Sequence, residues 1–177
     1  ADGKAKSGTG WQVEPGGQGD RDLKFFDAVL ATVRQKHDID PAQIFATGHS
    51  NGAAFVYLLW QERAATFAAL APVAGGLWAA RDNTDVTSLL VPKPVLQIAG
   101  RKDPTVKFEL MVAMVGIVRR VNGCESTSIP WGDDRCALYP SKTGSTPVVA
   151  YYHPGGHGVP KDAVELIVRF FREQRRL

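Results

Sequence analysis

The stretch Ile44-Phe45-Ala46-Thr47-Gly48-His49-Ser50-Asn51-Gly52-Ala53-Ala54 decides the fold. A short apolar run leads into G-x-S-x-G, and a helix-favouring apolar stretch follows. That order predicts a buried strand over 43–47, a tight turn at Ser50 and a helix over 53–63. A serine alcohol is a weak nucleophile until it is exposed, aimed and paired with a base. A strand-to-helix turn exposes it, and the turn holds only small residues at the two flanking positions, here Gly48 and Gly52.

Outward from the turn, apolar runs over 67–73, 94–99 and 147–152 read as three further strands. Helical patterns cover 106–121, stopped by Asn122-Gly123, and 160–175. A helix opened by Asp20 and Asp22 precedes the first strand. Its apolar positions Phe25, Phe26, Val29, Leu30 and Val33 are expected to face inward, as are Val164, Ile167, Val168 and Phe171 of the last helix. Near-continuous apolar strands alternating with helices imply an α/β fold, a parallel sheet with helices on both faces. Residues 1–19, rich in Gly, Lys, Ser and Pro, read as an irregular N-terminal segment.

The chain has 177 residues, 44% of them hydrophobic and 22% charged, which is the composition of one ordinary globular domain. No apolar run approaches the roughly 20 residues that cross a bilayer, so no membrane partner is expected. The formal charge of +3 is mild. Arg169, Arg172, Arg175 and Arg176 close the last helix, where cations suit the dipole; they read as a solvated face, and no nucleic-acid partner is expected. Cys124 and Cys136 flank a loop-like segment containing Pro130, Gly132, Asp133 and Asp134. Two thiols around one loop read as a disulfide and an oxidising compartment, with unpaired cytosolic thiols as the alternative. Neither has a second Cys or His nearby, so no metal is expected, and nothing points to a cofactor.

In a parallel α/β sheet the reactive groups gather beyond the carboxyl ends of the strands. Ser50 follows the first strand, Arg101, Lys102 and Asp103 the third, and His153 and His157 the fourth, the last within Gly155-Gly156-His157-Gly158. A nucleophile, an acid and a base thus fall at strand ends in the order Ser50, Asp103, His157, the order of α/β-hydrolases. Ser50 would attack a carbonyl carbon, His157 would carry the proton, and Asp103 would hold the imidazole tautomer. The Asn51 backbone N–H, at the start of the next helix, is the visible oxyanion donor. The bland alternatives are a helix cap for Asp103 and an ordinary loop histidine for His157. His153 reads as structural. His49, beside the nucleophile, is a candidate substrate contact. Trp78 and Trp131 are candidates to line an acyl or sugar site, with packing as the alternative for each.

These residues also resemble a known family. The run Ile39 to Ala53 is similar to the elbow region of the polyhydroxybutyrate depolymerase/feruloyl esterase group of α/β-hydrolases, which includes secreted acetylxylan and feruloyl esterases. Further similar stretches are Phe67-Ala68-Ala69-Leu70-Ala71-Pro72-Val73-Ala74-Gly75, Gly100-Arg101-Lys102-Asp103-Pro104-Thr105-Val106, Asn122-Gly123-Cys124 and Gly155-Gly156-His157. The resemblance covers about residues 20 to 175. It implies a secreted or periplasmic serine esterase acting on feruloyl, acetyl or hydroxyalkanoate esters, with Ser50, Asp103 and His157 as the triad. It also supports pairing of Cys124 with Cys136.

The chain departs from that group in two places. Gly158 and Val159 follow the histidine, where members of the group often carry a bulky residue. More important, such hydrolases have several strands before the elbow, and a loop after one of them supplies the second oxyanion donor. Here the elbow strand comes first, which leaves an apolar strand edge uncovered. The expectation is that residues 20–177 form the C-terminal portion of a catalytic domain, with an N-terminal segment of the same protein as a partner. The competing functions are a catalytically impaired binding module and a serine peptidase on the same fold.

Overall fold

The computed structural model describes residues 10–77 and 86–174. Six strands form one sheet: β1 (Phe45–His49), β2 (Ala69–Val73), β3 (Val95–Gly100), β4 (Ile129–Trp131), β5 (Asp133–Tyr139) and β6 (Val148–His153). Their order is β1-β2-β3-β6-β5-β4. The four expected strands β1, β2, β3 and β6 pair in parallel, with Phe45 opposite Ala69 and Gly100 opposite His153. Helices α1 (Arg21–Lys36), α2 (Asn51–Arg63) and α3 (Phe108–Val121) cover one face, and α4 (Ala163–Glu173) the other. β2 and β3 are buried throughout because both faces are covered.

Side chains alternate between two cores. Leu70, Val95, Val148 and Ala150 meet Leu23, Phe55, Leu58, Met114 and Val118 on the three-helix face. Ala71, Val73, Leu96, Ile98, Val149 and Tyr151 meet Ala163 and Phe170 on the other. Helix α2 is buried at every position from Ala53 to Trp60. Each large apolar side chain enclosed in this way contributes about 1.5–3 kcal/mol. One polar pair lies inside that layer. The Tyr57 hydroxyl donates to Gln97 Oε1 (2.8 Å), and Gln97 Nε2 donates to the Gly75 carbonyl (3.1 Å). Both groups are satisfied, as buried polar groups must be, and the loop after β2 is tied to β3.

The sheet is mixed rather than wholly parallel. The segment between the cysteines, expected as a loop, forms the antiparallel pair β4–β5, with β5 antiparallel to β6. Its Gly132 turns the hairpin at φ +81°, and Pro130 is tolerated because β4 is an edge strand. This placement also overturns the expected disulfide, for Cys124 and Cys136 are not bonded to each other. Cys136 points from β5 into the α4 core, whereas Cys124, just beyond α3, packs on the three-helix core. The sheet separates the two sulfurs.

Two helix faces are corrected as well. On α1, Leu23 is buried and Phe26 packs on the core, but Phe25 is 55% and Val29 43% exposed. On α4, Ala163 and Phe170 are buried, while Val164 is 68% exposed and Val168 is also exposed. Trp131 takes the packing alternative. It is buried edge-on to Phe170, its Nε1–H donates to Glu173 (2.8 Å), and Arg169 lies over its ring. Trp78 and the Arg175-Arg176 end lie outside the described residues.

Candidate active site

The site is built where β1, β3 and β6 end. Ser50 occupies the turn between β1 and α2 at φ 57°, ψ −116°, a conformation that costs a non-glycine residue about 1–3 kcal/mol. Its surroundings hold it there. The Ser50 N–H donates to the Val73 carbonyl (2.9 Å), and its carbonyl accepts the N–H groups of Ala53 (3.0 Å) and Ala54 (3.1 Å). An added Cβ at Gly48 would lie 2.4 Å from the Gly52 oxygen, and one at Gly75 would lie 2.5 Å from the Ser50 oxygen. The expected need for a small residue therefore holds at Gly48. At Gly52 an added Cβ meets nothing within 4 Å.

The three residues at the strand ends converge. His157 Nε2 lies 2.8 Å from Ser50 Oγ, and His157 Nδ1 lies 2.8 Å from Asp103 Oδ2. Asp103 Oδ1 accepts the N–H groups of Thr105 (2.8 Å) and Val106 (2.9 Å). The carboxylate thus caps the turn before α3 and orients the imidazole together. Burial pushes the Asp103 carboxyl up. The Val106 amide, the His157 ring and the Thr105 amide outweigh that and hold it below its ordinary value. Its side chain is 2% exposed and that of His157 23%, so the base is reachable and the acid is not.

Asn51 opens α2, and the first N–H groups of a helix have no acceptor within it. Its side chain is engaged separately. Asn51 Oδ1 accepts the Trp11 N–H (2.6 Å), and Asn51 Nδ2 donates to the Trp11 carbonyl (3.0 Å). The Trp11 ring stacks on Phe55 at 4.9 Å. Sequence reasoning missed this clasp, because Trp11 lies in a segment with no periodic pattern. His49 does lie beside Ser50. Its Nε2 donates to the His157 carbonyl, and the two rings are 4.9 Å apart.

Two hollows meet at Ser50. One, of about 550 Å³, runs between the start of α2, the loop after β2 and the α3 surface. Its walls include Ala54, Leu77, Val106, Leu110, Met111 and Met114. The other, of about 580 Å³, follows the outer edge of β1 past His49, Gly52 and Trp11. No group of three or more His, Cys, Asp or Glu side chains that could hold a metal occurs among the described residues.

A serine at a strand–turn–helix elbow, served by a histidine and a carboxylate from later strands of a parallel sheet, is the architecture of an α/β-hydrolase. Within that superfamily the similarity of the chain is to the feruloyl esterase C proteins. It is 32% identical over 143 residues to feruloyl esterase C of Emericella nidulans, covering 78% of this chain and 51% of that protein. It is 30% identical to a probable feruloyl esterase C of Aspergillus clavatus, over 78% of this chain and 50% of that one. The chain therefore spans about half the length of the curated relatives it matches. Among solved structures, acetyl xylan esterase from Aspergillus awamori superposes with a TM-score of 0.60 at 14% identity, over 83% of this chain and 66% of that one. The Bacillus cereus carboxylesterase superposes at 0.57 and 16% identity, over 88% and 63%. At those identities the structures speak for the fold alone. No family model matches the chain.

Proposed function

We propose that this chain carries the catalytic residues of a serine carboxylic-ester hydrolase acting through an acyl-enzyme. The observation that carries the reading is the unbroken chain from Ser50 Oγ through His157 to Asp103, with both links at 2.8 Å. As Ser50 Oγ attacks the ester carbonyl carbon, His157 Nε2 takes its proton. Asp103 stabilises the imidazolium, and the Asn51 N–H donates to the oxyanion. The tetrahedral intermediate collapses with cleavage of the bond to the alcohol oxygen, which receives the proton from His157. Water then attacks the acyl-enzyme by the same steps and frees the acid and Ser50.

The apolar hollow along α3 suits the acyl group. Leucine, valine and methionine line it, and its volume of about 550 Å³ favours a feruloyl- or hydroxyalkanoyl-sized group over acetyl. His49, exposed beside Ser50, would border the alcohol side. The outer edge of β1, which pairs with no strand among the described residues, would seat further chain of the same protein, with residues 20–177 forming the C-terminal portion of the catalytic domain. That chain would bring the second oxyanion donor. The secreted or periplasmic location belongs to this reading and rests on the resemblance, since no disulfide supports it.

An ester panel compared between the parent protein and Ser50→Ala tests the reading. The variant is expected to lose at least about 10³-fold in kcat, with p-nitrophenyl hexanoate and methyl ferulate preferred over p-nitrophenyl acetate in the parent. Equal rates in both proteins would refute it. With Asn51 as the one oxyanion donor visible among the described residues, the competing reading is a binding module that does not turn over. Labelling by a fluorophosphonate separates the two, because an activated Ser50 reacts and an inert one does not.

A further inference from the structure

His153 is buried, 5% exposed, and the triad makes no direct use of it. It ends β6 opposite Gly100, which ends β3. From this pair onward the two loops that carry Asp103 and His157 are joined by main-chain bonds. The Arg101 N–H donates to the His153 carbonyl (2.9 Å), and the Lys102 N–H to the Gly155 carbonyl (2.9 Å). The loops lie so close that a Cβ at Gly100 would collide with the Gly156 carbonyl oxygen. Within this seam the His153 ring makes one hydrogen bond, and it is to the loop of the base: Nδ1 accepts the Gly155 N–H at 3.2 Å. An imidazole nitrogen that accepts carries no proton, so in the neutral ring the proton sits on Nε2. Nε2 is buried with no hydrogen-bonding partner among the described residues. The ring therefore leaves one donor unanswered while its lone pair serves Gly155.

We infer that His153 is the positioning residue of the catalytic base: as a neutral imidazole it fixes the Gly155-Gly156 turn that presents His157 to Asp103 and Ser50. The ring sits close against that turn, for a Cβ on Gly155 would lie 2.9 Å from Nδ1. On the far side of the loop, His49 holds the His157 carbonyl. Protonation of His153 would replace the lone pair with an N–H aimed at the Gly155 N–H and release the turn. The charged and titratable groups around the ring are Asp162, bound by Arg135 and Tyr151, together with Asp103. Burial lowers the His153 pKa against the pull of those two carboxylates and so favours the neutral form.

This inference rests on the esterase reading for its kinetic test and on spectroscopy independently of it. The parent protein is compared with His153→Leu, His153→Gln and His153→Asn. An asparagine places its amide oxygen near the position of Nδ1, whereas a glutamine reaches past it to the position of Nε2. His153→Leu and His153→Gln are expected to lose about 10- to 100-fold in kcat with little change in KM, as a small displacement of a reacting group does. His153→Asn should restore most of that loss. In the parent the acid limb of kcat/KM should contain an ionisation that disappears in His153→Asn. The low-field proton resonance of His157 Nδ1–H on Asp103 should persist in the parent and His153→Asn and vanish in the other two. If His153→Leu does not fold, the contrast between Gln and Asn decides. Equal kcat in the Gln and Asn variants, or one resonance unchanged in every folded variant, would overturn the assignment. A parent without Ser50-dependent hydrolysis would sink the esterase reading, and the resonance alone would then judge His153.

Discussion

At Gly48 an added Cβ would run into the Gly52 carbonyl, whereas at Gly52 it would enter open space. The two glycines of one motif therefore respond differently to the same change. Gly48→Ala is expected to cost about 1–3 kcal/mol through overpacking and to abolish activity by displacing Ser50. Gly52→Ala, at the second position of α2, should leave stability unchanged or raise it by up to about 1 kcal/mol. Urea midpoints for the two variants check this. Asp103 carries a second prediction at this scale. Its carboxyl binds a proton less readily folded than unfolded, so its contribution is fully present above the ordinary value of 3.8. That contribution is lost as the pH falls through the lower, folded value. The parent should lose stability across that acid range, and Asp103→Asn should show a flatter profile while losing about 10⁴-fold in kcat through the wrong imidazole tautomer.

Helix α3 does two jobs with adjacent faces. Met114, Val115 and Val118 enter the core, while Leu110 and Met111 wall the hollow beside Ser50. Leu110→Trp should fill that hollow and lower kcat/KM for p-nitrophenyl hexanoate by at least about 10-fold, with the acetate ester within about threefold. Equal losses on both esters would show that the acyl group lies elsewhere. At this scale the four parallel strands were legible because each is a continuous apolar run between turn residues. The convergence of Ser50, Asp103 and His157 was legible because the sheet topology sends strand ends to one place. The β4–β5 hairpin was not, since Pro130, Gly132, Asp133 and Asp134 carry the letters of a loop. The outward face of α1 was not legible either, because periodicity shows that a helix has an apolar side but not whether anything covers it. The role of His153 depends on which ring nitrogen meets Gly155, and no residue pattern encodes that.

Across the whole molecule the two edges of the sheet are unlike. The outer edge at β4 is three residues long, contains Pro130 and shifts register beside Trp131, features that block further pairing. The edge at β1 is five residues long, regular and part-exposed, and the apolar Val29 and Val33 of α1 lie exposed as well. Val29→Lys and Val33→Lys should therefore change the stability of this chain by no more than about 0.5 kcal/mol. A larger loss would mark those positions as covered. β1 amides should also exchange with solvent faster than those of β3. The inequality of the edges gives the sheet a valence of one. Two copies of this chain that met edge to edge through β1 would each present only the blocked β4 side, so growth would stop at a pair instead of continuing into a fibre.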